Sequence, residues 1–249
     1  DAAGAESLAE FSDLAYELAA AFWPGPLTLV LPLRKDAGVA DLVTAGQDTV
    51  AIRVPAHETA RALLHAFDGP LAAPSANPSG RISPTTAAHV AQGLGNRING
   101  ILDAGACELG LESTILAVRG SQARLLREGG APREALEPLT GPLTLSATPG
   151  AVEAPGQLAS HYAPRTPLVM NSDLPDPQAV RIGFGPGAAD LSLSEAGDLR
   201  EAAARLFAVL HEADALARAS GRSWITVAAI PDTGLGRAIN DRLRRASAP

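Results

Sequence analysis

The chain has 249 residues, 46% of them hydrophobic, and a formal net charge of −7 at pH 7; its sequence pI is about 5.2. That apolar content suffices for one large or two ordinary domains and excludes a disordered chain, while the acidic balance argues against a surface built mainly to hold nucleic acid. The single cysteine, Cys107, excludes a disulfide framework or a thiolate metal cluster, and no membrane-spanning run or signal peptide is visible, so a cytoplasmic location is expected.

In chain order, Ser7 with Glu10 reads as a capping box, and Leu8, Phe11, Leu14, Leu18 and Phe22 follow at helical spacing, predicting a helix over 7–22. Pro24-Gly25-Pro26 ends it. Strands are predicted over 27–33 and 49–54, the second with Arg53 inside an apolar run, then a short helix over 57–67. Residues 70–74 read as a strand opening into the loop LAAPSANPSGRISPT (71–85). The pattern continues with a helix over 85–94 capped by Thr85, strands over 98–103, 113–118 and 123–127, and a helix over 132–139 with Pro in its first turn. From 140 to 165 prolines and glycines break every periodicity, which reads as a linker. Beyond it, strands are expected over 167–170, 180–184 and 224–230. A helix capped by Asp198 and Glu201 and ended by Gly221 lies between them, and a last helix covers 236–245. Strands alternating with helices imply an α/β domain.

The chemistry-bearing candidates each have a plainer alternative. The loop after 71 places short hydroxyl side chains and backbone amides where α/β sheets bind ligands; its composition also suits an ordinary surface loop. Arg53, flanked by Ile52 and Val54, needs an internal carboxylate or a ligand carboxylate held bidentately. Arg127 ends a strand before a glycine pair, a place suited to phosphate. Ser113-Thr114 begins a strand, where hydroxyls also serve turns. Tyr162, in the linker, reads as an exposed ring that either pins the linker or covers a ligand. Gly183-Phe184-Gly185-Pro186-Gly187 lacks the full dinucleotide spacing and reads as a turn. Neither a G-x-x-x-x-G-K-[ST] loop nor a G-x-S-x-G elbow occurs, and the five histidines show no metal-ligand spacing. The terminal arginines, Arg242, Arg244 and Arg245, read as a complement to a helix C-terminus.

Together FWPGPLTLVL (22–31), AIRVPAH (51–57), APSANPSGRISPT (73–85), ESTI (112–115), LLREG (125–129), HYAP (161–164) and GLGRAINDRLRRA (234–246) resemble the two-domain threonylcarbamoyl-AMP synthases. The resemblance implies an α/β fold: a YrdC-type twisted mixed sheet with helices over 1–139, a linker over 140–165, and a small Rossmann-like α/β domain over 166–249. It implies a nucleotidyltransferase that forms threonylcarbamoyl-AMP and pyrophosphate from L-threonine, bicarbonate and ATP, with Mg2+. A separate complex then transfers the group to tRNA; little or no direct tRNA binding and no membrane contact are expected. By the same resemblance Arg53, Ala73 and Ser113 would hold threonine, and Thr49, Ser75, Asn77, Ser83, Arg127 and Tyr162 would bind ATP. No catalytic side chain and no metal ligand is implied. The chemistry asks for positioning and anion stabilisation. The family pattern also carries a P-T-E-T-x-Y-G-L motif and a K-x-R pair ahead of the first helix. Neither occurs in this sequence, whose only lysine is Lys35, so on that pattern an N-terminal piece on the order of half a small domain is missing.

Two other readings follow from the same residues. A YrdC-type carbamoyltransferase would bring zinc-finger modules that a single cysteine does not supply. A non-catalytic RNA-binding module runs against the acidic pI.

Overall fold

The computed structural model describes residues 1–145, 160–172 and 175–248. Its elements in chain order are α1 (Ala2–Glu6), α2 (Asp13–Phe22), β1 (Leu27–Pro32), α3 (Asp41–Thr44), β2 (Thr49–Ile52), α4 (Glu58–Phe67), α5 (Ala87–Leu94), β3 (Thr114–Arg119), β4 (Gln122–Arg127), α6 (Arg133–Thr140), β5 (Leu168–Met170), β6 (Ala179–Gly183), β7 (Leu191–Ser192), α7 (Leu199–Ser220), β8 (Trp224–Val227) and α8 (Leu235–Ala246). No helix among the described residues is long and apolar enough to cross a membrane.

The chain forms two compact units, and their boundaries differ from the sequence segments expected above. The first comprises the described residues of Asp1–Ala73 and Glu112–Gln157; the second comprises those of Pro74–Leu111 and Leu158–Pro249. The cause is apolar: Ile82, Leu109 and Leu111 join the core built on α7, so the segment that carries them packs there.

The first unit is a mixed four-stranded sheet in the order β2-β1-β3-β4. β1 pairs antiparallel with β2 and parallel with β3, and β3 pairs antiparallel with β4. Leu27, Leu29, Leu31, Val50, Ile52, Leu116, Val118 and Leu125 line one face, packed against Leu14, Ala15 and Leu18 of α2 and Leu136 of α6. Of the helix expected over 7–22 only 13–22 is helical, as α2; α1 lies ahead of it, and residues 7–12 between the two are not helical. Ala9 bridges Leu33, and Glu10 N–H donates to the Pro32 carbonyl at 2.9 Å. That edge pairing competes with helix at residues 7–11, and Ser12, not Ser7, caps α2 through the Ala15 amide at 3.4 Å. Residues 70–74, expected as a strand, join no sheet, and Leu71 is 41% exposed.

The second unit is a parallel sheet in the order β5-β8-β6-β7. α7 and α8 supply most of its core, with Leu206, Phe207, Leu210 and Ile239 at most 1% exposed. α7 begins and ends where the sequence places it: Asp198 accepts from the Glu201 amide at 2.7 Å, and Gly221 closes the helix at φ +70. Thr86, rather than Thr85, caps α5, accepting from the His89 amide at 3.2 Å. The strand expected over 98–103 is absent, with Leu102 64% exposed. Of the expected linker, residues 146–159 lie outside the described residues.

Candidate functional site

In the first unit the polar groups gather on the sheet face turned away from α2 and α6. Strand alternation puts Thr28 and Val30 there, beside Ile115 and Leu126. Strict alternation along β4 would return Arg127 to the helix-covered face with Leu125. Instead the register shifts: Leu116 pairs with Leu125 but Ile115 pairs with Arg127, leaving Leu126 as the extra residue of a bulge. The bulge re-aims Arg127 onto the face that carries Ser113.

There the buried Arg127 guanidinium closes on Ser113. Its Nε and Nη2 donate to the Ser113 carbonyl at 3.1 and 2.8 Å, and Nη2 also reaches Ser113 Oγ at 3.3 Å. Ser113 Oγ in turn lies 2.7 Å from Thr28 Oγ1, both residues being buried. Thr114, one residue on, is tied to Ala131 by hydrogen bonds in both directions. Gly129 permits this closeness, because a Cβ there would run into the backbone of residues 112–114. Glu128 points elsewhere and takes the Arg133 guanidinium of α6. Arg127 thus hydrogen-bonds Ser113.

Arg53 stands one residue past the last β2 ladder pair, Leu29–Ile52, on the face of Ala51 rather than of the buried Ile52. It retains solvent access, yet burial lowers its guanidinium pKa from the ordinary value. No carboxylate answers it with a hydrogen bond or ion pair among the described residues. The internal-carboxylate alternative therefore has no partner among the described residues. Thr49 lies at the other end of β2, paired with Pro32, its hydroxyl 3.5 Å from Gln47 Oε1. Ala73 is exposed outside any strand.

The remaining candidates belong to the second unit. Ser75 is exposed. Asn77 Nδ2 donates to the carbonyls of Pro78 and Arg81 at 2.9 and 3.1 Å, closing the turn between them. Its Oδ1 is buried without a hydrogen-bond partner among the described residues. Ser83 is buried, with its carbonyl oxygen 3.2 Å from His211 Nε2. Gly80, at φ +78, presents its carbonyl to the Ala163 amide at 2.9 Å, and Arg81 bridges Ala163. So ANPSGR and HYAP, far apart in sequence, are hydrogen-bonded neighbours.

Tyr162 differs from its expected exposure. It is 1% exposed, at φ +63, stacked on Phe207 at 5.4 Å with the Arg242 guanidinium 5.5 Å from its ring centre. The core of the second unit supplied what the surrounding prolines and glycines concealed. Arg242 is likewise not a surface complement to a helix end: it is fully buried, with Nη1 2.9 Å from Asp241 Oδ2. Sequence reasoning also missed Thr28, whose only signal was a lone hydroxyl in LTLVL, and the pairing of His89 with His211, which no spacing announces.

Residues 1–129 match the family model of Sua5, YciO and YrdC proteins, described as telomere recombination. Residues 131–248 match a model described as the threonylcarbamoyl-AMP synthase C-terminal domain. The chain is 36% identical to the threonylcarbamoyl-AMP synthase of Pyrococcus abyssi, over 96% of this chain and 75% of that protein. It is 39% identical to that of Bacillus subtilis, over 91% of this chain and 70% of that protein. Among solved structures, it is similar to P. abyssi Sua5 complexed with L-threonine, with a TM-score of 0.88 at 35% identity, covering 99% of this chain and 78% of that one. It is also similar to a variant of the same protein with an adjacent histidine and tyrosine both changed to alanine, with a TM-score of 0.86 at 34% identity, covering 99% of this chain and 76% of that one.

Proposed function

The chain belongs to the two-domain threonylcarbamoyl-AMP synthase family, and from that premise we propose that it joins L-threonine, bicarbonate and ATP into threonylcarbamoyl-AMP and pyrophosphate. The threonine amine and bicarbonate condense to a carbamate with loss of water; a carbamate oxygen attacks the α-phosphate, and pyrophosphate leaves. Nothing in this sequence of bonds asks for a protein nucleophile. It asks for an anionic amino acid held still beside a nucleotide, with water kept from a hydrolysable mixed anhydride.

The observation that carries the reading is Arg53: a solvent-accessible guanidinium at the end of β2, its pKa lowered by partial burial, with no carboxylate partner among the described residues. A guanidinium that is open to solvent on one side and has no internal anion is free to take an anion from a ligand. The threonine carboxylate, bound bidentately, is that anion. Ser113 adds a hydroxyl on the same sheet face, with Ala73 near the reacting centre. By the family resemblance, Thr49 and Arg127 of the first unit and Ser75, Asn77 and Ser83 of the second are the candidate ATP-binding residues. Tyr162, in the only His-Tyr pair of the chain, anchors the HYAP segment that lies along the ANPSGR turn. Among the described residues no group of three or more His, Cys, Asp or Glu could hold a metal ion, so we assign Mg2+ to the triphosphate as part of the substrate. The product feeds a separate complex that modifies tRNA, which accords with an acidic protein acting in the cytoplasm with little affinity for RNA itself.

The test is pyrophosphate release from ATP by the full chain, with threonine and bicarbonate each omitted in turn. Release is expected only when both are present. Release independent of threonine contradicts the assignment.

A further inference from the structure

We infer that Thr28 is a positioning residue for threonine, setting the direction of the Ser113 hydroxyl through the sheet; this rests on Ser113 as a threonine-binding residue. A serine hydroxyl offers one proton and two lone pairs. One lone pair of Ser113 Oγ faces Arg127 Nη2 at 3.3 Å, and a guanidinium can only donate. The other faces Thr28 Oγ1 at 2.7 Å. Thr28 is 9% exposed and sits in β1, whose neighbours β2 and β3 flank it on both sides. Its hydroxyl has no other hydrogen-bond partner among the described residues; in the proposed arrangement it donates to Ser113, which leaves the Ser113 proton for a ligand.

With both lone pairs filled, the one remaining valence of Ser113 is its own proton. The residue then acts as a donor and favours an anionic oxygen over a group that would itself donate. The Thr28–Ser113 step also transmits the Arg127 charge: a hydroxyl that accepts from a cation and from a second hydroxyl becomes a stronger donor. Thr28 touches no substrate in this arrangement. It converts an ambivalent hydroxyl into one suited to a carboxylate or carbamate, and the bulge that aims Arg127 at Ser113 completes the same device.

The experiment is calorimetric binding of L-threonine, L-threoninamide and ATP to the full chain carrying Thr28→Val, Thr28→Ser or Ser113→Ala. Valine keeps the shape of threonine and removes the hydroxyl. Thr28→Val is expected to weaken threonine by about threefold to tenfold, the range of one hydrogen bond, while leaving ATP unchanged. Thr28→Ser is expected to restore threonine affinity to within about twofold. Preference for threonine over the uncharged amide is expected to narrow in Thr28→Val and to return in Thr28→Ser. Equal losses of threonine and ATP affinity, the mark of a merely structural role, overturn the inference. So does unchanged threonine affinity in Thr28→Val when Ser113→Ala lowers it. Unchanged affinity in Ser113→Ala removes the threonine-binding reading of that residue, and the inference with it.

Discussion

His89 of α5 and His211 of α7 stack, ring centroids 3.9 Å apart and planes 24° from parallel. Their surroundings specify neutral tautomers. The Thr85 amide points at His89 Nδ1 from 3.3 Å, so that nitrogen holds a lone pair. His211 Nε2 faces the Ser83 carbonyl at 3.2 Å and carries the proton. Protonating His89 would set N–H against N–H at Thr85 and a charge against the second ring.

A pH dependence follows. Burial lowers the pKa of both rings; for His211 the charge of His89 adds to this, against the Ser83 carbonyl and Asp214, which act in the opposite sense. The unfolded chain therefore takes up protons first as pH falls below about 6.5. The pair's contribution to stability is full above that value and is lost as pH drops through the lowered folded-state values. Urea midpoints measured from pH 8 to 5 are expected to fall more steeply for the native chain than for one carrying His89→Asn and His211→Gln, which preserve the acceptor and the donor without titrating. Parallel curves would show that the pair does not titrate as described.

Tyr162→Ala is expected to cost stability before it costs chemistry. The ring is sealed between Phe207, His161 and the Arg242 guanidinium, and removing such a ring costs about 3–5 kcal/mol. Arg242→Met, which leaves Asp241 with Arg245 as its remaining guanidinium partner, is expected to cost less than that. Equilibrium denaturation reads both. In the surviving folded fraction, Tyr162→Ala is expected to leak hydrolysed intermediate more than it loses ATP affinity.

Gly129→Ala drives a methyl group into the backbone where Ser113 meets Thr114. An overpacked contact of this kind costs about 1–3 kcal/mol. Because the strain falls on the start of β3, threonine affinity is expected to drop along with the thermal midpoint; titration calorimetry and a melting curve check the two together.

Much of the fold was legible because local signals and tertiary packing agree there. α7 begins at Asp198 and ends at Gly221 because a cap, an apolar stripe and a left-handed stop all point the same way. The disagreements fall where a distant partner decides. Residues 7–11 carry a helical pattern, but their backbone groups pair with the strand edge at Pro32 and Leu33. Residues 70–74 and 98–103 carry strand-like composition and find no ladder. Arg53 and Ser113 were readable as candidates because a polar group in an apolar strand needs a reason. Thr28 was not, because one hydroxyl in a strand is ordinary until the register places it against Ser113. Tyr162 looked exposed because turn-forming neighbours say nothing about a core assembled from α7 and α8.

Threonine binding to the native chain and to Arg53→Ala, measured by titration calorimetry beside melting curves of both, tests the central claim most directly. Loss of a charged, bidentate contact is expected to weaken threonine by about 10- to 100-fold with the melting point nearly unchanged. A lowered melting point with threonine affinity intact would contradict the account and make Arg53 a structural cation.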